Sequence, residues 1–245
     1  VVQRFWRAFL SLAALAAAFS AVSWVCLRWA HVGLSAPGGR LQLLTLPTGF
    51  PSLWNFIHPA TGVHWVFPLL VLLVQVFLTG GFYGVLVRVD TGQPAGLSTF
   101  LADAARSFWR LLTWNLLWTA LGLTAVGIAQ ALPALATLLS VGVLLARFVF
   151  LFGDVALVCE PAMREAIRSA AEALLHGFAP MLPFGAVMAA STGACLAISA
   201  QLPGWGLLAL GVVYSVFMAW VLHMVAARYL YFSRWEERAG LHLSS

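Results

Sequence analysis

The chain has 245 residues, 62% of them hydrophobic and 9% charged, with a mean hydropathy of +0.94. A soluble domain carries roughly 45–50% apolar and about 25% charged residues, so this composition excludes a water-soluble globule. Thirteen arginines against eight acids give a formal charge of +5 without a single lysine; the arginines stand singly between apolar runs, which argues against nucleic acid as a partner because no basic stripe faces a row of phosphates.

A hydrocarbon core about 30 Å thick needs roughly 20 apolar residues in a helix, because lipid offers no partner to an open backbone group. Six stretches qualify, at 5–29, 63–87, 109–132, 134–157, 179–200 and 206–231. The fold class is therefore an all-α bundle of six spans, read as one integral membrane domain over 1–245. The first span follows Arg4 and Arg7 and stays apolar to Arg28, too long for a cleaved secretory signal, which makes it an uncleaved signal anchor. The opening Val in place of Met points to an alternative start codon or a trimmed terminus.

After the first span, 41–57 is apolar but broken by Pro47, Gly49 and Pro51, and reads as a loop lying at the membrane interface, with a re-entrant hairpin as the alternative. The third and fourth spans meet at Pro133 in a tight hairpin. Threading six helices with the N-terminus inside places Arg4, Arg7, Arg88, Arg106, Arg110, Arg164, Arg168, Arg228, Arg234 and Arg238 on one side and Arg28 with Arg40 on the other, which predicts N-in, C-in. The chain is expected in the cytoplasmic (inner) membrane, with the lipid bilayer as its first partner.

Two inner loops share a plan. In the first, Leu97, Phe100, Leu101, Ala104, Phe108 and Leu111 recur at helical spacing after a Ser98 or Thr99 cap, with Asp103 and Arg106 opposite. In the second, Glu160-Pro161 opens a helix with Met163, Ile167, Ala170, Ala171, Leu174 and Phe178 on one stripe, and Glu165, Arg168 and Glu172 spaced to pair. Both predict cytoplasmic amphipathic surface helices leading into the third and fifth spans. The unit of span, turn, surface helix and span then occurs twice, at 63–132 and 134–200, a candidate repeat of the kind that builds a central site. An inner loop beside lipid also becomes amphipathic without any repeat.

The segments Gly92-Gln-Pro-Ala-Gly, Arg106-Ser-Phe-Trp-Arg, Asp154-Val-Ala-Leu-Val-Cys-Glu-Pro and Ala226-Ala-Arg-Tyr-Leu-Tyr carry a likeness over roughly 63–235. The chain resembles bacterial multipass membrane-domain families, nearest the one fused in some bacteria to glycerophosphodiester phosphodiesterases. It is similar as well to small multipass proteins found beside carbohydrate-uptake genes. The resemblance implies the architecture and supplies no catalytic signature.

An ionisable group inside a bilayer costs about 2.5–3.5 kcal/mol on insertion scales and marks a functional candidate. Arg147 falls near the centre of the fourth span, with Asp154 two turns further on. Gln75 is near mid-membrane in the second span, and Asn115 and His223 lie level with Asp154. Either these five form a polar site, with Arg147 binding an anion and Asp154 and His223 handling a proton, or Arg147 snorkels or pairs as interhelical glue. Trp54, Trp65 and Trp205 read as an aromatic belt beside His58 and His64, which lack the carboxylate or thiol that would complete a metal set, so neither metal nor cofactor is expected. His176 and His242 read as solvated surface groups. Cys26, Cys159 and Cys195 show no pairing pattern. Gly80, Gly81 and Gly84, and the stripe Ala189, Gly193 and Ala197, read as close helix packing.

The leading functional expectation is a non-enzymatic accessory or scaffold subunit that docks a membrane partner, or a second copy, around Phe100 and Phe108. The alternative is a small-solute or ion transporter working through Arg147, Asp154 and His223. An intramembrane enzyme is the weakest reading, because no nucleophile and acid–base pair assembles at one depth.

Overall fold

Apolar side chains all round a helix suit lipid or a membrane-embedded core, and six helices of this chain are long and apolar enough to cross a membrane. The computed structural model describes residues 2–29, 46–56, 66–199, 201–202 and 204–233, with the backbone alone at 2–5 and 66–68. Its helices are α1 (Val2–Trp29), α2 (Val66–Asp90), α3 (Leu97–Ala131), α4 (Ala136–Val149), α5 (Gly153–Cys159), α6 (Met163–Ser199) and α7 (Gly204–Ser233), with short 3-10 turns at Leu53–Asn55 and Pro133–Leu135. The protein is an all-α, multipass integral membrane protein. His58, His64, Trp65, Arg40, Arg234, Arg238 and His242 lie outside the described residues.

The helices alternate in direction, so the ends of α2, α5 and α7 meet the starts of α1, α3 and α6 at one arginine-rich end. There the Arg110 guanidinium donates to the Glu160 carbonyl, and Ser169 and Tyr229 share a hydrogen bond of 2.8 Å. α2 closes at this end with Gly92 at φ +76, the Gln93 N–H bonding the Arg88 carbonyl and the Gly92 N–H the Val89 carbonyl. A left-handed glycine at this place satisfies carbonyls that a helix end leaves open.

α2 and α3 form the tightest pair. A Cβ on Gly80 would lie 2.4 Å from Ser107 Oγ, on Gly81 2.5 Å from the Phe100 ring, and on Gly84 2.5 Å from Asp103 Cβ, so these glycines do serve close packing. Across the same seam Arg88 grips Asp103 through Nε (2.6 Å) and Nη2 (3.0 Å). The expected surface face is thus rotated: Phe100, Ala104, Ser107 and Leu111 are buried, Leu97 and Leu101 are exposed, and Asp103 turns inward to its arginine. The cap is also shifted, to Gly96, whose N–H donates to Thr99 Oγ1 (2.8 Å).

Neither expected surface helix is a separate element. α3 runs unbroken for 35 residues and α6 for 37, about 52 and 55 Å at 1.5 Å per residue, well beyond a bilayer core. In α6 the buried face is Ala166, Ala170, Ala173, Gly177, Met181, Gly185, Met188 and Thr192; Ala197 is exposed and Gly193 half-buried, because α7 and the adjoining helices lie against the neighbouring stripe. Arg168 and Glu172 do pair, at 2.6 Å. Pro180 and Pro183 sit inside α6 without ending it.

Two departures matter for function. The fourth span is interrupted: α4 ends at Val149 and α5 starts at Gly153, leaving Phe150–Phe152 outside regular helix. No proline marks the break; Gly153 permits it, since a Cβ there would come within 2.9 Å of the Trp114 indole. The segment 46–56 does not lie at the interface either. Thr48, Phe50, Ser52, Leu53 and Phe56 are buried among α1, α2 and α7, so the described part of the loop enters the bundle, as the re-entrant alternative holds.

Candidate functional site

Non-helical backbone inside a membrane protein needs partners for its N–H and C=O groups, and α1 and α2 supply them to the inserted segment, with α7 bracing α1. Tyr83 donates its hydroxyl proton to the Thr48 carbonyl (2.6 Å), and the Phe50 N–H donates to Thr79 Oγ1 (2.8 Å). The Leu53 N–H donates to Ser20 Oγ (3.0 Å), which is itself bonded to Ser215 Oγ on α7 (2.6 Å). Gln75 Nε2 donates to Ser52 Oγ (2.7 Å). Ring contacts complete the seat, Phe50 against Phe19 and Phe82 at 5.8 Å each and Phe56 against Tyr214 at 4.9 Å. Gly211 leaves room for the loop, a Cβ there falling 3.0 Å from Leu53 Cβ.

Beside this loop lies a cavity of about 190 Å³. The loop forms one wall, from Leu46 to Phe50 with Trp54 and Asn55; Leu72, Gln75, Val76 and Thr79 of α2 form another; Asn115 of α3 and Arg147 of α4 close it. Thr79 is eleven residues from the end of α2, about 16 Å, which places the cavity near mid-span. Three of the five polar residues expected from sequence, Gln75, Asn115 and Arg147, therefore line one space.

The Arg147 guanidinium carbon stands 4.2 Å from the Trp118 ring centre. Among the described residues no carboxylate comes within 4.0 Å of Arg147. Its nearest opposite charge is Asp154, which acts on it at longer range. Cation–π contact of this kind holds a guanidinium by its face and leaves its N–H edge free. The Asn115 amide is tied back to the Leu111 carbonyl (2.9 Å), which orients its oxygen away from its own helix backbone.

Asp154 is 2% exposed, with the Thr48 side chain in hydrogen-bonding range and Tyr83 beside it, while its Oδ1 has no hydrogen-bond partner among the described residues. It thus sits under the loop rather than in the cavity. His223 belongs to a lower level: it faces Phe9 (ring centres 6.4 Å) and Asp90 (4.0 Å), and Asp90 follows Tyr83 on α2 by seven residues, about 10 Å. Phe100 and Phe108, expected to dock a partner, are engaged internally: Phe100 covers Gly81, and Phe108 packs on Phe77 (6.5 Å) and Trp109 (5.3 Å). Phe100 is buried, and Phe108 is half-buried beside the exposed Trp109.

A second cavity, about 400 Å³, opens at the arginine-rich end between Gly84, Arg88, Asp103, Arg106, Glu160, Ser169 and Tyr229. Residues 72–79 of α2 line the first cavity and residues 84–91 the second. Between them stands Tyr83, 1% exposed, clamped to Thr48 and neighbouring Asp154.

Sequence reasoning held the loop insertion only as its alternative reading, and it missed Thr48 and Tyr83 as neighbours of Asp154. The signal of the insertion is a set of hydroxyls inside apolar spans: Ser20, Thr79 and Tyr83 bond the loop, and Ser215 bonds Ser20 from α7. No family model matches the chain, and no curated protein and no solved structure matches it.

Proposed function

We propose that this protein is a non-enzymatic permease for a small solute, oriented N-in and C-in in a bacterial inner membrane. The observation that carries the reading is the succession of two polar cavities along α2, lined by residues 72–79 and 84–91, with the buried Tyr83, held to Thr48, in the stretch of α2 between them. Re-entrant backbone and interrupted spans are tolerated in membranes where they line a cavity, and transporters place their sites at such breaks. This chain has both: the inserted segment 46–56, which lines the first cavity, and the interruption at 150–152, which leads through Gly153 to Asp154. The lining offers amides, hydroxyls and one guanidinium, groups suited to holding a solute. The accessory-subunit alternative, docking through lipid-facing helices and the Phe100 and Phe108 elbow, gives no role to the two polar cavities, and Phe100 is committed to Gly81.

The test is accessibility. Single cysteines at Gln75, Asn115 and Val87, in a background lacking Cys26, Cys159 and Cys195, are exposed to a small membrane-impermeant thiol reagent in proteoliposomes, with Leu121 as the lipid-facing control. Labelling at Gln75 and Asn115 but not Leu121 supports a water-filled passage. Protection at all of the interior positions sinks it.

A further inference from the structure

We propose that the mid-span cavity is a binding site for a small organic monocarboxylate, with Arg147 as its bidentate anchor. This rests on the permease reading and narrows its substrate. Arg147 is the cavity's one cation, and its five N–H donors have no hydrogen-bond acceptor in the described structure, although a guanidinium at this depth is costly to leave unpaired. With its face on Trp118, the guanidinium presents a planar edge, and a planar edge with two parallel N–H groups matches the two oxygens of a carboxylate.

Charge and shape limit the ligand further. Arg147 brings a single positive charge to the cavity, and Asp154 within its electrostatic range opposes part of it, so a monoanion is better compensated there than a dianion. At roughly 30 Å³ per water the cavity equals about six waters, which admits a solute of a few heavy atoms. Its lining mixes polar groups, from Gln75, Asn115 and Arg147, with apolar ones, from Leu46, Pro47, Leu72 and Val76, which give contact to a short alkyl tail. Inorganic phosphate and sulfate match neither the charge nor the apolar groups of the lining.

The experiment uses the full chain, purified, with cysteine at Gln75 as reporter. Propionate and butyrate are expected to slow thiol labelling saturably, while propionamide, sulfate and inorganic phosphate leave it unchanged. Arg147→Gln abolishes the propionate effect. Arg147→Lys keeps the charge without the fork and weakens it about tenfold. Calorimetric titration of propionate into the otherwise wild-type protein repeats the comparison with no reporter and no variant. Equal protection by propionamide, stronger protection by sulfate or phosphate, or full propionate protection in a folded Arg147→Gln protein overturns the proposal. If Gln75 labels readily and no carboxylate protects it or binds calorimetrically, the substrate class is wrong and the permease reading survives; if Gln75 never labels, both fail.

Discussion

Replacing Thr79 by valine removes one hydroxyl and keeps the branched shape, so it isolates the hydrogen bond that holds the inserted loop. In the native protein Thr79 Oγ1 donates to the Gln75 carbonyl (2.7 Å) and accepts from the Phe50 N–H (2.8 Å), and both Thr79 and Phe50 are 2% exposed. The helical carbonyl retains its backbone bond when the hydroxyl goes. The Phe50 N–H does not: it is left buried without an acceptor, which costs about 1–3 kcal/mol. No cavity forms, so packing adds little. We expect Thr79→Val to lower the free energy of unfolding by that amount in a lipid-mimetic detergent, and Thr79→Ser, which keeps the acceptor, to stay closer to wild type. A loop loosened by about 1.4 kcal/mol opens roughly tenfold more often, so a reporter cysteine at Gly49 should label correspondingly faster in the valine variant. Equal stability and equal labelling in the valine and serine variants would refute the claim that α2 holds the loop through this hydroxyl.

Gly81→Ala drives a methyl into the Phe100 ring and should destabilise the α2–α3 pair by about 1–3 kcal/mol, with Phe100→Leu in the same chain restoring part of the loss; thermal unfolding of the single and double variants decides it. Arg88→Ala leaves Asp103 unpaired at 11% side-chain exposure and should cost about 1–2 kcal/mol, less than a fully buried pair because Arg88 remains 27% exposed; a double-mutant cycle with Asp103→Ala that shows no coupling would contradict the bidentate geometry. Asp154→Asn removes the negative charge that competes for Arg147. Seven residues separate the two, roughly 10 Å, and at an effective dielectric of about 20 the interaction is near 1.5 kcal/mol, so propionate should bind roughly tenfold tighter by calorimetry; weaker binding would refute the charge argument.

The spans were legible because lipid makes one demand of every crossing segment, a sustained apolar helix, and that demand is written in composition. Arg168 with Glu172, and the glycines at 80, 81 and 84, were legible because their partners are fixed by helical spacing or by a simple need for closeness. What escaped was set by distant neighbours. The face that α3 buries is chosen by the glycine groove of α2, and the inward turn of Asp103 by Arg88. The break at 150–152 carries no proline, and at its edge Gly153 lies against Trp114 of α3, well before it in the chain. The loop at 46–56 looked interfacial since its prolines and glycine exclude a crossing helix, but its carbonyl and amide groups find hydroxyls on helices that lie far away in sequence. Gln75, Asn115 and Arg147 were found as costly polar residues; their sharing of one cavity could not be read without that loop.

The two serines beneath the loop impose an order on assembly. Ser20 accepts the Leu53 N–H and is bonded to Ser215, and Gly211 of α7 makes the space that Leu53 fills. α7, made after the other described helices, thus completes the seat for a segment made well before it. Until α7 arrives, the inserted loop has only part of its support, and α1 waits without its main neighbour. The mid-span cavity is consequently a late product of biogenesis: a chain stopped before Gly204 can insert five spans and still lack a binding site, and quality control that senses unpaired backbone in the bilayer has the exposed 46–56 segment as its natural mark.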